Sequence, residues 1–129
     1  MSGFRISCGV SFRFSEEKGR ILENIVFNEL RRRQQKIFFH KQKGECDFII
    51  KTELKITSAI QVCLTLSDVE TKNREINGLL EALNTYQLKE GLILTLDEEG
   101  EESITYHEKQ YTVRIQPVSK WLLPSFHES

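Results

Sequence analysis

No apolar run in these 129 residues approaches the roughly 20 that a membrane-spanning helix needs. The start of the chain lacks the charged, apolar and small-residue succession of a secretory leader, so a cytoplasmic protein is expected. Cysteine is scarce: Cys8, Cys46 and Cys63, with no C-x-x-C pair. An odd, scattered set excludes a disulfide scaffold and a zinc knuckle, and fits reduced thiols in a reducing compartment. The G-x-x-x-x-G-K-S/T loop that cradles phosphates is absent, so ATP hydrolysis by this chain is not expected. There is no H-E-x-x-H, and neither His40 nor His107 has a second histidine at ligand spacing. Repeats, low-complexity stretches and linkers are missing too, so one compact domain is expected.

What is present suffices for a core. Hydrophobic residues make up 39%, with eight Phe and one Trp, and a chain of this length buries roughly two-thirds of its unfolded surface. Net charge is −1, but its distribution is uneven. Residues 1–60 hold twelve Lys/Arg against seven Asp/Glu, and residues 61–129 hold six against twelve. The first half therefore carries +5 and the second −6, which implies a basic face that suits a phosphate-bearing partner or an acidic protein surface.

Residues 1–14, with Gly3, Gly9 and scattered Phe, read as a partly ordered arm. Ser15 is an N-cap, Glu16 and Glu17 favour the first turn, and Leu22, Ile25, Val26 and Leu30 form an apolar stripe that ends at Arg31-Arg32-Arg33. Short strands follow at 37–40, 46–51 and 59–65. In the second, Cys46, Phe48 and Ile50 share one face, with Glu45, Asp47, Ile49 and Lys51 on the other. In the third, Ile60, Val62 and Leu64 alternate with Gln61, Cys63 and Thr65. Ser67 or Asp68 caps a helix with a stripe of Val69, Ile76, Leu79, Leu80 and Leu83, broken by Gly78. A buried strand at 92–96, an acidic turn at 97–102, a last strand pair at 104–106 and 111–115, and a helical turn from Pro117 that Pro124 stops complete the domain, 15–123, before a tail at 124–129. The order condenses to α-β-β-β-α-β-β-α, an α/β domain with a central mixed sheet flanked by helices.

Three pieces of this order resemble the PD-(D/E)XK nuclease pattern: Glu23 in the first helix, Asp47 in a strand, and Gln61-Val62-Cys63 on the next. The resemblance extends to Gly19-Arg20-Ile21-Leu22-Glu23-Asn24-Ile25-Val26-Phe27-Asn28-Glu29-Leu30, Gly44-Glu45-Cys46-Asp47-Phe48-Ile49-Ile50, Asn73-Arg74-Glu75-Ile76, Leu88-Lys89-Glu90-Gly91-Leu92-Ile93-Leu94-Thr95 and Pro117-Val118-Ser119-Lys120-Trp121-Leu122-Leu123. These stretches are similar to the nuclease-like C-terminal domain of unknown function found behind AAA+-type ATPase modules of archaea and bacteria. The resemblance implies a restriction-endonuclease-like fold, and a chain that is a fragment of such an ATPase or a stand-alone relative of its tail.

In the pattern the carboxylates hold Mg²⁺ and the lysine steadies developing charge. Here Gln61 and Cys63 keep the two-residue spacing and lose the charges. Removing one full charge at about 4 Å forfeits roughly 4 kcal/mol of attraction at an effective dielectric near 20. A thiol beside carboxylates has little reason to ionise. The expectation is a catalytically degenerate module, with Glu23, Asp47, Gln61 and Cys63 as a vestigial site and no cofactor. The alternative is an active Mg²⁺-dependent nuclease, with Glu23, Asp47 and Gln61 on the metal and Lys72 or Lys51 as a migrated lysine. Arg31, Arg32, Arg33, Lys36, Lys41 and Lys43 cluster at a helix end and hairpin, as a nucleic-acid contact or as a solvated helix terminus. A third reading is an assembly module acting through the apolar edge at Trp121, with an oligomer or an ATPase module as partner. Zinc on Cys46 and Cys63 is disfavoured, because Cys46 is expected on the face opposite Asp47.

Overall fold

A computed structural model describes residues 6–41 and 44–122. Helix α1 (Ile6–Arg32) leads into β1 (Lys36–Lys41), β2 (Glu45–Thr52) and β3 (Lys55–Val62). Helix α2 (Val69–Tyr86) is followed by β4 (Glu90–Thr95), β5 (Gly100–Tyr106), β6 (Lys109–Pro117) and the short α3 (Val118–Trp121). The six strands form one mixed sheet in the order β1-β2-β3-β4-β6-β5. The first three make an antiparallel meander, β4 lies parallel to β3 and β6, and β5 returns antiparallel to β6.

Alternation along the strands feeds two cores. Leu22, Val26 and Leu30 of α1 pack with Phe48, Ile50, Ile60, Val62, Leu94 and Val118 on one face. On the other, Ile76, Leu79, Leu80 and Leu83 of α2 pack with Ile49, Ala59, Ile93, Tyr111, Val113 and Ile115. The domain is therefore α/β, with a mixed sheet covered by helices on both faces, as the patterning implies.

Several details depart from expectation. α1 begins at Ile6, not at Ser15, so residues 6–14 belong to its first turns. Residues 1–5, Lys43, Pro124 and the tail lie outside the described residues. The expected closing pair is present as β5 and β6; counted as two strands it makes the order α-β-β-β-α-β-β-β-α, one strand more than the condensed form. Its turn is a two-residue hairpin in which His107 and Glu108 both have positive φ, 50° and 66°, the geometry that matches strand twist. Asp68 is the N-cap of α2 and accepts from Thr71 N–H at 2.9 Å, but Val69, one position on, is 70% exposed and leaves the apolar stripe.

The face assignment of β2 also changes. Register with β1 jumps from Phe38↔Ile49 to His40↔Cys46, so Asp47 and Phe48 together oppose Phe39. Such a bulge re-aims the residues beside it. Cys46 accordingly joins Ile49 against α2 and the cluster that Cys63 borders, whereas Phe48 and Ile50 face α1.

Candidate functional site

The bulge coincides with the end of a ladder. Pairing of β2 with β3 runs as far as Phe48↔Ile60. Beyond that point side chains replace backbone. Val62 N–H donates to Asp47 Oδ2 at 2.8 Å, and Asp47 N–H donates to Gln61 Oε1 at 2.9 Å. Gln61 Nε2 then donates to Glu45 C=O at 2.8 Å and to Glu75 C=O at 2.9 Å. One carboxamide thus staples β2, β3 and α2, and Gln61 is only 2% exposed.

Glycine makes the staple reachable. A Cβ on Gly78 would lie 2.1 Å from Glu45 O and 3.0 Å from Gln61 Nε2. α2 therefore approaches β2 backbone to backbone, and Gly44 N–H donates to Glu81 Oε1 at 2.9 Å beside the same contact.

Three carboxylates gather around this junction. Burial pushes Asp47 up to about 6, against the Val62 N–H, and the charges of Glu23 and Glu45 push it further. Burial and then Asp47 raise Glu75 to about 7, with smaller contributions from Glu23 and Glu45 against the lowering effect of Arg74. Glu23 is raised by burial and lowered by Arg20. Glu75 Oε1 is buried with no hydrogen-bond partner. All three carboxyls are thus raised, with burial the largest cause in each.

The thiols contribute no charge. Cys63 Sγ donates to Thr65 C=O at 3.1 Å, and burial followed by Glu75 pushes its pKa up to about 11. Cys46, buried beside Phe48 and Ile60 carbonyls, is pushed up to about 12. Neither is a thiolate at neutral pH.

The lysine candidates are engaged elsewhere. Lys72 Nζ pairs with Glu102 on β5 at 2.8 Å, and three strands separate β5 from β2 in the sheet. Lys51 Nζ lies 5.9 Å from the centre of the Phe38 ring, at the far end of the β1–β2 pairing. Among the described residues no group of three or more His, Cys, Asp or Glu is placed to hold a metal ion. Two of the oxygens expected on a divalent cation are engaged by backbone: Gln61 Oε1 accepts from Asp47 N–H and Asp47 Oδ2 from Val62 N–H.

The basic cluster divides. Glu29 takes Arg32 at 2.6 Å and Arg33 at 2.7 Å, and is held down at about 2, chiefly by the Arg32 hydrogen bond. Arg33 also lies 4.5 Å from the centre of the Trp121 ring and donates to Trp121 C=O at 3.2 Å, closing α1 onto α3. Trp121 is thereby half-covered rather than presented as an open apolar edge. Arg31 and Lys36 remain exposed, the former over Phe27. The side chains of Lys41 and Lys43 lie outside the described residues.

Glu75 and Gly78 are the residues that sequence reasoning passes over. The one signal for Glu75 was its place within the quoted Asn73-Arg74-Glu75-Ile76 stretch, flanking the apolar stripe of α2.

No protein-family model matches the chain. An uncharacterized protein of Methanocaldococcus jannaschii is 42% identical over 120 residues, which cover 88% of this chain and 26% of that protein. The chain spans about a quarter of the length of the curated relative it matches. No described helix is long and apolar enough to cross a membrane.

Proposed function

We propose that this domain is a catalytically degenerate PD-(D/E)XK nuclease-like module that binds nucleic acid or a protein as one part of a longer protein of the AAA+-type ATPase kind. The observation that carries the reading is the Gln61 staple. Its carboxamide hydrogen-bonds to backbone at both Oε1 and Nε2 and is closed to solvent. A residue at the template's metal-ligand position has become part of the scaffold. Cys63, a neutral thiol bonded to Thr65, stands where the template has an ammonium. The length of the relative agrees with a module inside a larger chain.

Two results test this. Plasmid DNA incubated with Mg²⁺ or Mn²⁺ is expected to stay intact; cleavage lost in Asp47→Ala would overturn the degenerate reading. Restoring the template carboxylate by Gln61→Glu is expected to destabilise the fold by about 2 kcal/mol at neutral pH. It removes both N–H donors from Glu45 and Glu75 carbonyls and adds a buried charge beside three others.

The nucleic-acid contact rests on Arg31 and Lys36, since Arg32 and Arg33 are held by Glu29. A gel shift at low salt is expected to weaken in Arg31→Glu and Lys36→Glu, with the salt slope falling by about one for each. No shift at low salt, together with a dimer in solution, would move the function to protein assembly.

One observation favours the alternative of an active Mg²⁺-dependent nuclease. Glu75 adds to the site a carboxylate with an unpartnered, buried oxygen. On that reading Glu75 supplies the charge that Gln61 lacks.

A further inference from the structure

A hollow lies on the α1 face, beside β3. Its volume is about 550 Å³, within the range of small-molecule sites, roughly 300–1,000 Å³. It exists because α1 ends at Arg32 and α3 spans only four residues, so the two helices leave part of the sheet uncovered between them. Ser58 and Ile60 of β3, Leu92 of β4, and Arg114 and Gln116 of β6 form its floor. Leu30 and Trp121 form apolar walls.

The charges lining it are mostly of one sign. Lys89 and Arg114 line it with one carboxylate, Glu90, and Arg33 enters it already paired with Glu29 at 2.7 Å. Arg114 sits on an inner strand, between buried Val113 and Ile115 that point the other way. A helix packed over that position would demand an apolar side chain. Its guanidinium stays 48% exposed and meets Glu90 only at 3.7 Å, beyond a good hydrogen bond, so its donors are open to a ligand. Arg33, 4.5 Å from the centre of the Trp121 ring and tethered to the Trp121 carbonyl and to Glu29, is held in place before anything binds.

We propose that this hollow binds a small organic anion with a flat, apolar body, the chemistry shared by nucleoside phosphates and aromatic carboxylates. Arg114 and Lys89 take the anionic group. Leu92 and the Trp121 edge cover the flat body, and the Gln116 carboxamide offers it a polar contact. The hollow shares no residue with the Asp47–Gln61 junction, so the inference stands apart from the nuclease-like reading.

Trp121 is the chain's one tryptophan, so its emission reports on this hollow directly. ADP and 1-naphthoate are titrated separately into the full chain. Saturable change in Trp121 emission with either probe is expected below about 1 mM, weakened about tenfold or more in Arg114→Glu, and in Lys89→Glu as a second, independent variant. Both side chains are exposed, so both variants keep the fold. Response to ADP alone identifies a nucleoside phosphate, and response to naphthoate alone an aromatic carboxylate. No saturation with either probe, or affinities unchanged in both variants, overturns the proposal.

Discussion

Gly78→Ala is expected to cost the domain about 3–5 kcal/mol of stability, although the same change in an exposed helix normally helps. Alanine in place of a mid-helix glycine gains about 1 kcal/mol from propensity. Here the new Cβ would sit 2.1 Å from Glu45 O and 3.0 Å from Glu45 C, and the obstacle is backbone on both sides. No rotamer relieves such a clash. α2 must lift from β2, which breaks the Gln61-to-Glu75 hydrogen bond at 2.9 Å and the Gly44-to-Glu81 bond at 2.9 Å. The first loss costs the part-buried Glu75 carbonyl a hydrogen bond and the second costs the part-buried Gly44 N–H one, at about 1–3 kcal/mol each. The clash and its consequences outweigh the propensity gain, for a net loss of about 3–5 kcal/mol, a large share of a typical total of roughly 5–15 kcal/mol. Urea unfolding checks it. Gly19→Ala is the matched control: Gly19 also lies within a helix, but its Cβ would meet nothing within 4 Å. That variant is expected to gain up to about 1 kcal/mol. Equal behaviour of the two variants would show that the close approach at Gly78 does not exist.

Much of this architecture was legible because periodicity speaks for whole elements. The Leu22/Val26/Leu30 stripe, the alternation through Ile60 and Val62, and the Asp68 cap each imply their element from local chemistry alone. What stayed hidden depends on a partner. The bulge at Asp47–Phe48 is a property of register against Phe39, and nothing in β2 by itself announces it. Cys46 therefore changes face without any local warning. Gly78 reads as a weak point in a helix until the strand backbone beneath it is known. Glu75 looks like any helix acid on a solvated flank, and only the convergence of α1, β2 and α2 sets it against Asp47 and Glu23. Gln61 reads as a lost metal ligand; that it also ties three elements together appears only once Glu45 and Glu75 carbonyls are within its reach. Arg33 looked like part of a solvated terminus, because its ring partner, Trp121, is far away in sequence.

Glu75→Gln is expected to stabilise the domain at pH 8 and to change little at pH 4. The sign follows from the direction of the shifts. Burial first, then the Asp47 charge, raise Glu75 from 4.5 to about 7 in the folded state. Asp47 moves the same way, from 3.8 to about 6. A carboxyl with a raised folded pKa binds protons more tightly in the native chain, so stability falls as pH rises. Its full contribution is present below about pH 4, declines through the interval up to about pH 7, and is gone above it. At about 1.4 kcal/mol per unit the Glu75 shift sets an upper bound near 3 kcal/mol, which partial exposure at the rim reduces to about 2 kcal/mol. A neutral amide at position 75 is the same at every pH and relieves Asp47 as well. The variant's stability curve is therefore expected to flatten between pH 4 and pH 7 and to lie above that of the wild type at pH 8. Denaturant midpoints across that range check it. The experiment also separates the two readings of the site. If the crowding of Glu23, Asp47 and Glu75 is a relic, millimolar Mg²⁺ leaves both proteins unchanged. If the carboxylates are held apart for a cation, Mg²⁺ stabilises the wild type at pH 8 by mass action and leaves Glu75→Gln unmoved; that result, unlike any flattening of the curve, would favour the reading of a Mg²⁺-dependent site.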